Sequence, residues 1–219
     1  MLDYKAIIFD MDGVIIDSEP LHEKAQRIVF SQYQLTVPST VFSAFKGKTE
    51  ADVFGHVVEA YADNHVDASE LIALKHAVYS DLMGELQLID GARPLIERLV
   101  KRGIPLGLTT SATRRDQQRT FALFDLGTYF NVVMTAEDVA NPKPDPEPYL
   151  KTAKHLGVPP ASCLVIEDST HGVTAAQRAG CTVIGLSTSF SPERLLQAGA
   201  HLAVDGYDEL AHHLISEEL

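Results

Sequence analysis

The sequence predicts an α/β fold in which a parallel sheet carries helices on both faces and a helical bundle interrupts the sheet after its first strand. After Gly91, short apolar runs alternate with helical segments of about ten residues, which is the pattern of βαβ units. Residues 18–83 instead show helical periodicity and almost no strand signal. Because the first apolar run precedes this helical block, that strand belongs with the later sheet. We therefore expect a core of residues 1–16 and 87–219 and an inserted helical unit of residues 17–86.

The length of each run and the residues at its ends define the expected elements. Short apolar runs predict strands over 5–10, 104–109, 132–135, 163–167, 181–186 and 201–204. Periodic segments, several of them begun by proline or ended by glycine, predict helices over 94–100, 113–123, 146–156, 173–179, 192–198 and 207–215. In the inserted unit, Thr49 and Asp67 are expected N-caps, because their side-chain oxygens can accept hydrogen bonds from first-turn amides.

The charge of the chain excludes two classes of partner. Among its 219 residues, 30 are acidic and 18 are basic, which gives a formal net charge of -12. Nucleic acids and anionic membrane surfaces repel such a chain, so we expect neither as a partner. A phosphorylated metabolite would need a local cation, a lysine or oriented backbone amides to bind. We take a monomer as the default expectation.

The two cysteines and the N-terminal segment indicate a cytoplasmic protein. Cys163 and Cys181 each open an apolar run, and we interpret both as small buried hydrophobic residues, not as a disulfide or a metal pair. Unpaired cysteines suit a reducing compartment. The N-terminal apolar run is too short for a signal peptide, and no stretch approaches the roughly 20 apolar residues of a membrane span.

Polar side chains follow the carboxyl ends of the predicted strands. In chain order they are Asp10, Asp12 and Gly13, then Thr109, Thr110 and Ser111, then Lys143, and finally Glu167, Asp168 and Ser169. Ligands of open α/β sheets bind outside this edge, so we expect these residues to form one site. Carboxylates packed together are costly unless a cation neutralises them, and an all-oxygen site with open positions suits Mg²⁺.

The same residues can handle a phosphoryl group. A carboxylate beside a metal ion can attack phosphorus and form an aspartyl-phosphate. Lys143 can offset the charge that remains on the substrate. Hydrogen bonds to phosphate oxygens can come from Thr110, Ser111 and the amides of a turn at Gly13. The pattern favours phosphoryl transfer from a small phosphorylated metabolite.

Four motifs resemble those of a known family. They are FDMDGVIIDSEP at 9–20, LTTS at 108–111, KPDPEPYL at 143–150 and IEDSTHG at 166–172. In this order they resemble the four motifs of the haloacid dehalogenase superfamily, in the branch that includes β-phosphoglucomutase and many sugar-phosphate phosphatases. The resemblance covers nearly the whole chain. It implies a Rossmann-like core, a helical cap that closes over the site, and Mg²⁺ as cofactor.

The resemblance also implies a role for each matching residue. Asp10 would be the nucleophile, and Asp12 would be the general acid and base. Thr110 would bind the transferring phosphoryl group, and Lys143 would neutralise its charge and that of Asp10. The implied magnesium ligands are Asp10, the backbone carbonyl of Asp12, Asp168 and, directly or through water, Glu167.

The inserted unit bears on the choice between phosphatase and mutase. A β-phosphoglucomutase is expected to carry a Lys-Gly-x-Ser-Arg run whose arginine grips a second phosphate. Here the run is Lys46, Gly47, Lys48, Thr49 and Glu50, so an acid replaces the arginine, although Lys48 could compensate. The Ser and Lys expected after the second motif are Ala112 and Thr113 here. We favour hydrolysis, with the mutase as the alternative, and take His22, Lys46, Lys48 and Glu50 as candidates for substrate contact.

Two further alternatives are weaker. Dehalogenation does not need the second carboxylate of an Asp-x-Asp pair, which this chain has. A non-catalytic binding module of the same fold should lack one of Asp10, Asp12, Lys143 and Asp168, and all four are present. We therefore expect a Mg²⁺-dependent phosphatase that acts on a sugar or polyol phosphate.

Overall fold

The computed structural model describes residues 4–43, 49–62 and 66–214. The chain divides into two compact units, which we call the core unit (1–17 and 87–219) and the inserted unit (18–86). Among the described residues, no helix combines the length and the apolar character needed to cross a membrane.

The core unit is built on a parallel sheet that carries the expected α/β architecture. Its strands are β1 (Ala6–Phe9), β2 (Ile16–Asp17), β3 (Gln87–Leu88), β4 (Leu106–Thr109), β5 (Val132–Met134), β6 (Cys163–Glu167), β7 (Thr182–Leu186) and β8 (Leu202–Val204). Within the described residues, six of them form one sheet in the order β5-β4-β1-β6-β7-β8. All pairs in it are parallel, and Ile8 of β1 lies between Gly107 of β4 and Val165 of β6. This order makes β1 and β6 neighbours, so the acids that follow them meet at one edge.

Helices account for most of the remaining described structure. They are α1 (Glu19–Gln32), α2 (Ser39–Ser43), α3 (Glu50–Tyr61), α4 (Ala68–Leu82), α5 (Ala92–Lys101), α6 (Arg114–Phe124), α7 (Glu147–Leu156), α8 (Thr170–Arg178), α9 (Pro192–Ala198) and α10 (Tyr207–Leu214). The first four form the inserted unit. The alternation of strands and helices after residue 90 confirms the predicted order of elements.

Apolar side chains from sheet and helices form the interior of the core unit. Ile8, Val165 and Val183 project from neighbouring strands and pack in one cluster with helix residues such as Val173. Residues of this kind are buried on both faces of a parallel sheet, because the crossover helices cover both. Cys163 and Cys181 are buried free thiols, as predicted.

The inserted unit has an interior of its own. Phe30 and Phe54 pack edge to face with ring centroids 5.4 Å apart, and Leu71 belongs to the same cluster of buried residues. The predicted N-caps are confirmed: the Thr49 side chain accepts a hydrogen bond from the amide of Asp52, and Asp67 accepts one from Ser69. Burial of this apolar face against neighbouring helices, and not helix propensity alone, stabilises such short helices.

Among the described strands and α-helices, two differences from the predicted elements exceed a shift of two residues at one end. Strands β2 and β3 pair antiparallel, Ile16 opposite Leu88, and neither was predicted because two residues give no periodicity. Helix α8 begins at Thr170 and not at Val173, because the Ser169 side chain caps it by accepting a hydrogen bond from the amide of Gly172.

Candidate active site

The first acid of the site directly follows the central strand β1. Asp10 is buried, and its amide donates to the carbonyl of Ile166 in β6 across 3.0 Å. Thr110 directly follows β4 and is tied in the same way, through its amide, to Met134 of β5 at 2.9 Å. The sheet therefore fixes the backbone from which these two side chains project.

Lys143 joins three strand ends through one ammonium group. Its Nζ donates to Asp10 Oδ1 at 2.6 Å, to Glu167 Oε1 at 2.7 Å and to the carbonyl of Thr109 at 3.0 Å. Burial disfavours its charged form, but the carboxylates of Asp10 and Glu167 outweigh burial and raise the pKa of Lys143 well above its usual value. Lys143 is therefore a permanent cation inside the site.

Glu167 is fully buried and committed to neighbours through both oxygens. Oε1 accepts from Lys143 and from the Tyr149 hydroxyl at 2.9 Å, while Oε2 accepts from the amide and the hydroxyl of Ser169, each at 2.9 Å. Burial opposes its ionisation, yet Lys143 and these hydrogen bonds lower the pKa of Glu167. Gly172 gives it room, because a Cβ there would lie 1.6 Å from Oε1.

Three acids approach one another closely enough to hold a cation. One oxygen each from Asp10, Glu167 and Asp168 lies within 4.8 Å of the other two. Burial, followed by the charges of its neighbours, raises the pKa of Asp168 to about 8, and burial also raises the pKa of Asp10 despite Lys143. More carboxylates than cations are thus buried here, and an all-oxygen donor set of this kind fits Mg²⁺.

Gly13 and Ser189 define the surroundings of Asp168. The Ser189 hydroxyl donates a hydrogen bond to Asp168 Oδ2. Gly13 has a positive φ of 72°, and a Cβ at this position would lie 1.9 Å from the same oxygen. The turn after Asp12 can approach Asp168 this closely only because residue 13 has no side chain.

The remaining predicted residues of the core unit lie at the same strand ends. Asp12 is half-buried, and its charge contributes to the raised pKa of Asp10. Thr110 is buried, and its Oγ1 accepts a hydrogen bond from the amide of Ala112 at 3.0 Å, which leaves the hydroxyl hydrogen to be donated. Ser111 is exposed.

Two of the four candidates in the inserted unit belong to a polar cluster. The Nζ of Lys75, which the sequence did not single out, lies 2.5 Å from Glu50 Oε1 and 2.8 Å from His22 Nδ1. His76 Nε2 lies 2.6 Å from Glu50 Oε2, and the His22 ring stacks on Tyr79 with centroids 4.2 Å apart. The candidates Lys46 and Lys48 lie outside the described residues.

Electrostatics in this cluster favour a neutral imidazole beside an ion pair. Burial, and then the positive charge of Lys75, lower the pKa of His22 to about 3. Burial opposes ionisation of Glu50, but Lys75 and His76 lower its pKa below the usual value. A neutral His22 whose Nδ1 accepts from Lys75 carries its proton on Nε2.

Sequence reasoning missed Tyr149, Ser189 and Lys75. Tyr149 lies within the KPDPEPYL motif, in which only Lys143 was singled out, and it is buried. Ser189 follows β7, a strand end that carries no carboxylate or lysine. Lys75 follows Leu74 in an apolar stretch, and its position beside a buried face was the one available signal.

Comparison with known proteins adds family information to this geometry. The family model described as haloacid dehalogenase-like hydrolase matches residues 7–186. A phosphorylated carbohydrates phosphatase of Thermotoga maritima is 34% identical over 201 residues, which cover 90% of this chain and 92% of that protein. A validoxylamine A 7'-phosphate phosphatase of Streptomyces hygroscopicus subsp. limoneus is 31% identical over 195 residues, with 89% and 91% covered.

A solved structure agrees with these matches. It is a Thermotoga maritima protein provisionally assigned as a β-phosphoglucomutase, with a TM-score of 0.84 and 31% sequence identity. The match covers 96% of this chain and 100% of that chain, so both units have counterparts in one known protein.

Proposed function

The chain belongs to the haloacid dehalogenase-like hydrolases, and from this premise we propose that it is a Mg²⁺-dependent phosphatase of a small phosphorylated metabolite. The observation that carries the proposal is the bridge made by Lys143, whose ammonium contacts Asp10 and Glu167 beside Asp168. A permanent cation that orients a buried carboxylate is what a nucleophile for phosphorus needs.

In the first step Asp10 attacks the substrate. One carboxylate oxygen forms a bond to phosphorus, and the ester bond between phosphorus and the leaving oxygen breaks. Asp12, as a carboxylic acid, gives its proton to that oxygen, so the product leaves as an alcohol. Lys143 holds Asp10 through Oδ1 during this step.

In the second step water releases the phosphoryl group. The Asp12 carboxylate takes a proton from the water, whose oxygen attacks phosphorus. The bond between phosphorus and Asp10 then breaks. Inorganic phosphate is released, and the free carboxylate of Asp10 is restored. Asp12 is again protonated, so each turnover consumes one substrate and one water molecule.

Charge and hydrogen bonding support both steps. The ammonium of Lys143 offsets the negative charge of the phosphoryl oxygens. The hydroxyl oxygen of Thr110 accepts from the amide of Ala112, and its hydrogen can be donated to a phosphoryl oxygen. Ser111 is the next donor along the chain. Glu167, engaged through both oxygens, orients Lys143 and would reach a metal ion only as a minor or water-mediated ligand.

The buried acids fit a magnesium ion. Asp10, Asp168 and the backbone carbonyl of Asp12 would hold it, and their charge excess and raised pKa values are those of ligands that lack a counter-ion. When bound, Mg²⁺ would neutralise these carboxylates and part of the phosphate charge.

For the substrate we propose a sugar or polyol phosphate. The support is the name of the Thermotoga relative, a phosphorylated carbohydrates phosphatase. We further propose that the inserted unit acts as the cap that selects the substrate, with His22 and Glu50 among the residues responsible. The ammonium of Lys75 is already paired with Glu50, so this pair offers no free cation to a second phosphate.

Mutase activity is the second candidate, because a solved relative is assigned as a β-phosphoglucomutase. A mutase would return the phosphoryl group from Asp10 to another hydroxyl of a sugar phosphate and not to water. The ion pair of Glu50 with Lys75 weighs against mutase activity. A bisphosphate intermediate needs a cation at its distal end, and in this pair the carboxylate of Glu50 already offsets the ammonium charge.

Phosphate release from a panel of sugar and polyol phosphates, including β-glucose 1-phosphate, tests the proposal. With Mg²⁺ we expect release from at least one compound, abolished by a chelator and by Asp10→Asn. No release, together with isomerised sugar phosphate after addition of a bisphosphate primer, would identify a mutase. No reaction and no Mg²⁺ binding would indicate a non-catalytic binding module.

A further inference from the structure

The loop after β7 contacts the site at two points, although it belongs to none of the four motifs. We call residues 187–190 the β7 loop. Thr188 Oγ1 donates to the backbone carbonyl of Gly13, and Ser189 Oγ donates to Asp168 Oδ2. Because β7 is the sheet neighbour of β6, its carboxyl end lies beside Asp168.

The contacts of the β7 loop restrict the side chain of Asp168 and the turn at Gly13. A Cβ on Gly13 would lie 1.9 Å from Asp168 Oδ2 and 3.0 Å from Ser189 Oγ, so the turn, the acid and the serine are packed together. Asp168 is buried, and its side chain could otherwise rotate about its terminal torsion, which is broad for aspartate. A hydroxyl donor on one oxygen removes that freedom.

We propose that Ser189 is a positioning residue that presents Asp168 to the magnesium ion, an inference that rests on the proposed function. The hydrogen bond occupies Oδ2 and so directs Oδ1 to the cation. Partners that fix a ligating carboxylate in this way contribute to metal affinity without touching the metal. Thr188 acts in parallel by holding the Gly13 carbonyl, and with it the turn that carries Asp12.

The test compares Ser189→Ala with Ser187→Ala. Ser187 lies in the same loop, but its hydroxyl donates to Asp205 at 2.8 Å, and Asp205 is not one of the acids of the candidate site. Two quantities are measured for each purified protein: the Mg²⁺ dissociation constant by calorimetry without substrate, and the Mg²⁺ concentration that gives half-maximal phosphatase activity. A third variant, Ser189→Thr, keeps the hydroxyl and serves as the rescue.

We expect Ser189→Ala to weaken Mg²⁺ binding about tenfold and to raise the half-maximal Mg²⁺ concentration by a similar factor. At saturating Mg²⁺ the KM for substrate stays unchanged, and Ser187→Ala and Ser189→Thr bind Mg²⁺ like the wild type.

Unchanged Mg²⁺ binding in Ser189→Ala, or an equal loss in Ser187→Ala, overturns the inference alone. A wild-type protein that binds no Mg²⁺ overturns the proposed function and the inference with it. Should Ser189→Ala not fold, Ser189→Cys, with its weaker donor, is expected to show a smaller loss of affinity, and wild-type affinity in Ser189→Cys overturns the inference.

Discussion

Among the residues that the structure describes, each unit buries one lysine side chain, and the two lysines contact different groups. Lys143 of the core unit contacts two carboxylates and a backbone carbonyl, with its side chain 7% exposed. Lys75 of the inserted unit contacts one carboxylate and one neutral imidazole, with its side chain 4% exposed. Burial is similar, so the difference between the two clusters is the ratio of negative to positive groups.

The ratio of carboxylates to ammonium groups decides whether the charges within a cluster are balanced. Around Lys143 the acids outnumber the cation, and the pKa values of Asp10 and Asp168 are raised as a result of burial and mutual repulsion. Around Lys75 a single acid balances the ammonium, and the pKa of Glu50 is lowered. The first cluster has more carboxylates than ammonium groups and can take up an additional cation, whereas the single carboxylate of the second cluster is already paired with Lys75.

The largest effect is expected at the nucleophile. Asp10→Asn removes the attacking oxygen's charge but keeps the shape, so turnover should fall roughly 10⁴-fold or more with the fold intact. Steady-state phosphate release and a melting curve measure the two properties. Asp208→Asn, at an exposed acid, is the matched control and should be fully active. Activity retained by Asp10→Asn with a normal melting curve would remove Asp10 from the proposed role.

Replacing each lysine by methionine tests the comparison directly. Lys143→Met should lower kcat about 100- to 1000-fold, because it removes a preorganised cation from the transferring group. Lys75→Met should instead destabilise the protein by about 1–3 kcal/mol, because Glu50 and His22 lose their shared donor. Enzyme kinetics and urea unfolding measure the two losses. The comparison breaks if Lys75→Met is as inactive as Lys143→Met at normal stability.

Magnesium binding should depend on pH through the acids of the core unit. Asp168 must lose its proton to bind a metal, and its pKa is raised to about 8. The apparent Mg²⁺ affinity should therefore increase by up to about tenfold per pH unit as the pH rises towards 8. Calorimetric titrations at several pH values measure it, with Asp168→Ala as the variant that loses most binding. An affinity independent of pH would show that the acids are already ionised.

The smallest effect is expected from His22. Its pKa in the folded protein is about 3, below the ordinary 6.5, so the unfolded chain takes up the proton first as the pH falls. Stability should thus be lost between about pH 6.5 and 3, and His22→Gln should lose less than the wild type over this window. The ring resonances of His22, followed by NMR over the pH range, give its pKa directly. A His22 pKa near 6.5 would contradict the neutral assignment, and in Lys75→Met the value should move towards it.

The order of the elements and most residues of the candidate site could be predicted from the sequence. Strands such as β6 and β7 are apolar runs bounded by clear stop residues, and the sheet-edge rule identifies Asp10, Lys143 and Asp168 as neighbours before any contact is known. These predictions succeed because they depend on local pattern and on one general property of parallel sheets.

Contacts between unrelated segments could not be predicted in this way. Ser189 reaches Asp168 because β7 lies beside β6, and a lone serine in a loop carries no signal of that register. Lys75 is buried because Glu50 and His22 come from two other helices of the inserted unit. Such pairs depend on the tertiary arrangement, in which a buried charge is stable only with partners that the sequence does not reveal.

The pairing of β2 with β3 has a consequence for how such a protein can diversify. Ile16 and Asp17 lie opposite Leu88 and Gln87, so the chain leaves the core unit and returns to it at adjacent, hydrogen-bonded positions. A segment between two ends that are already held together can change in length at a low entropic cost. The reason is that the entropic cost of loop closure increases only slowly with the length of the loop. The insertion can therefore be exchanged, lengthened or shortened over evolutionary time while the strand order and the acids at its edge remain as they are.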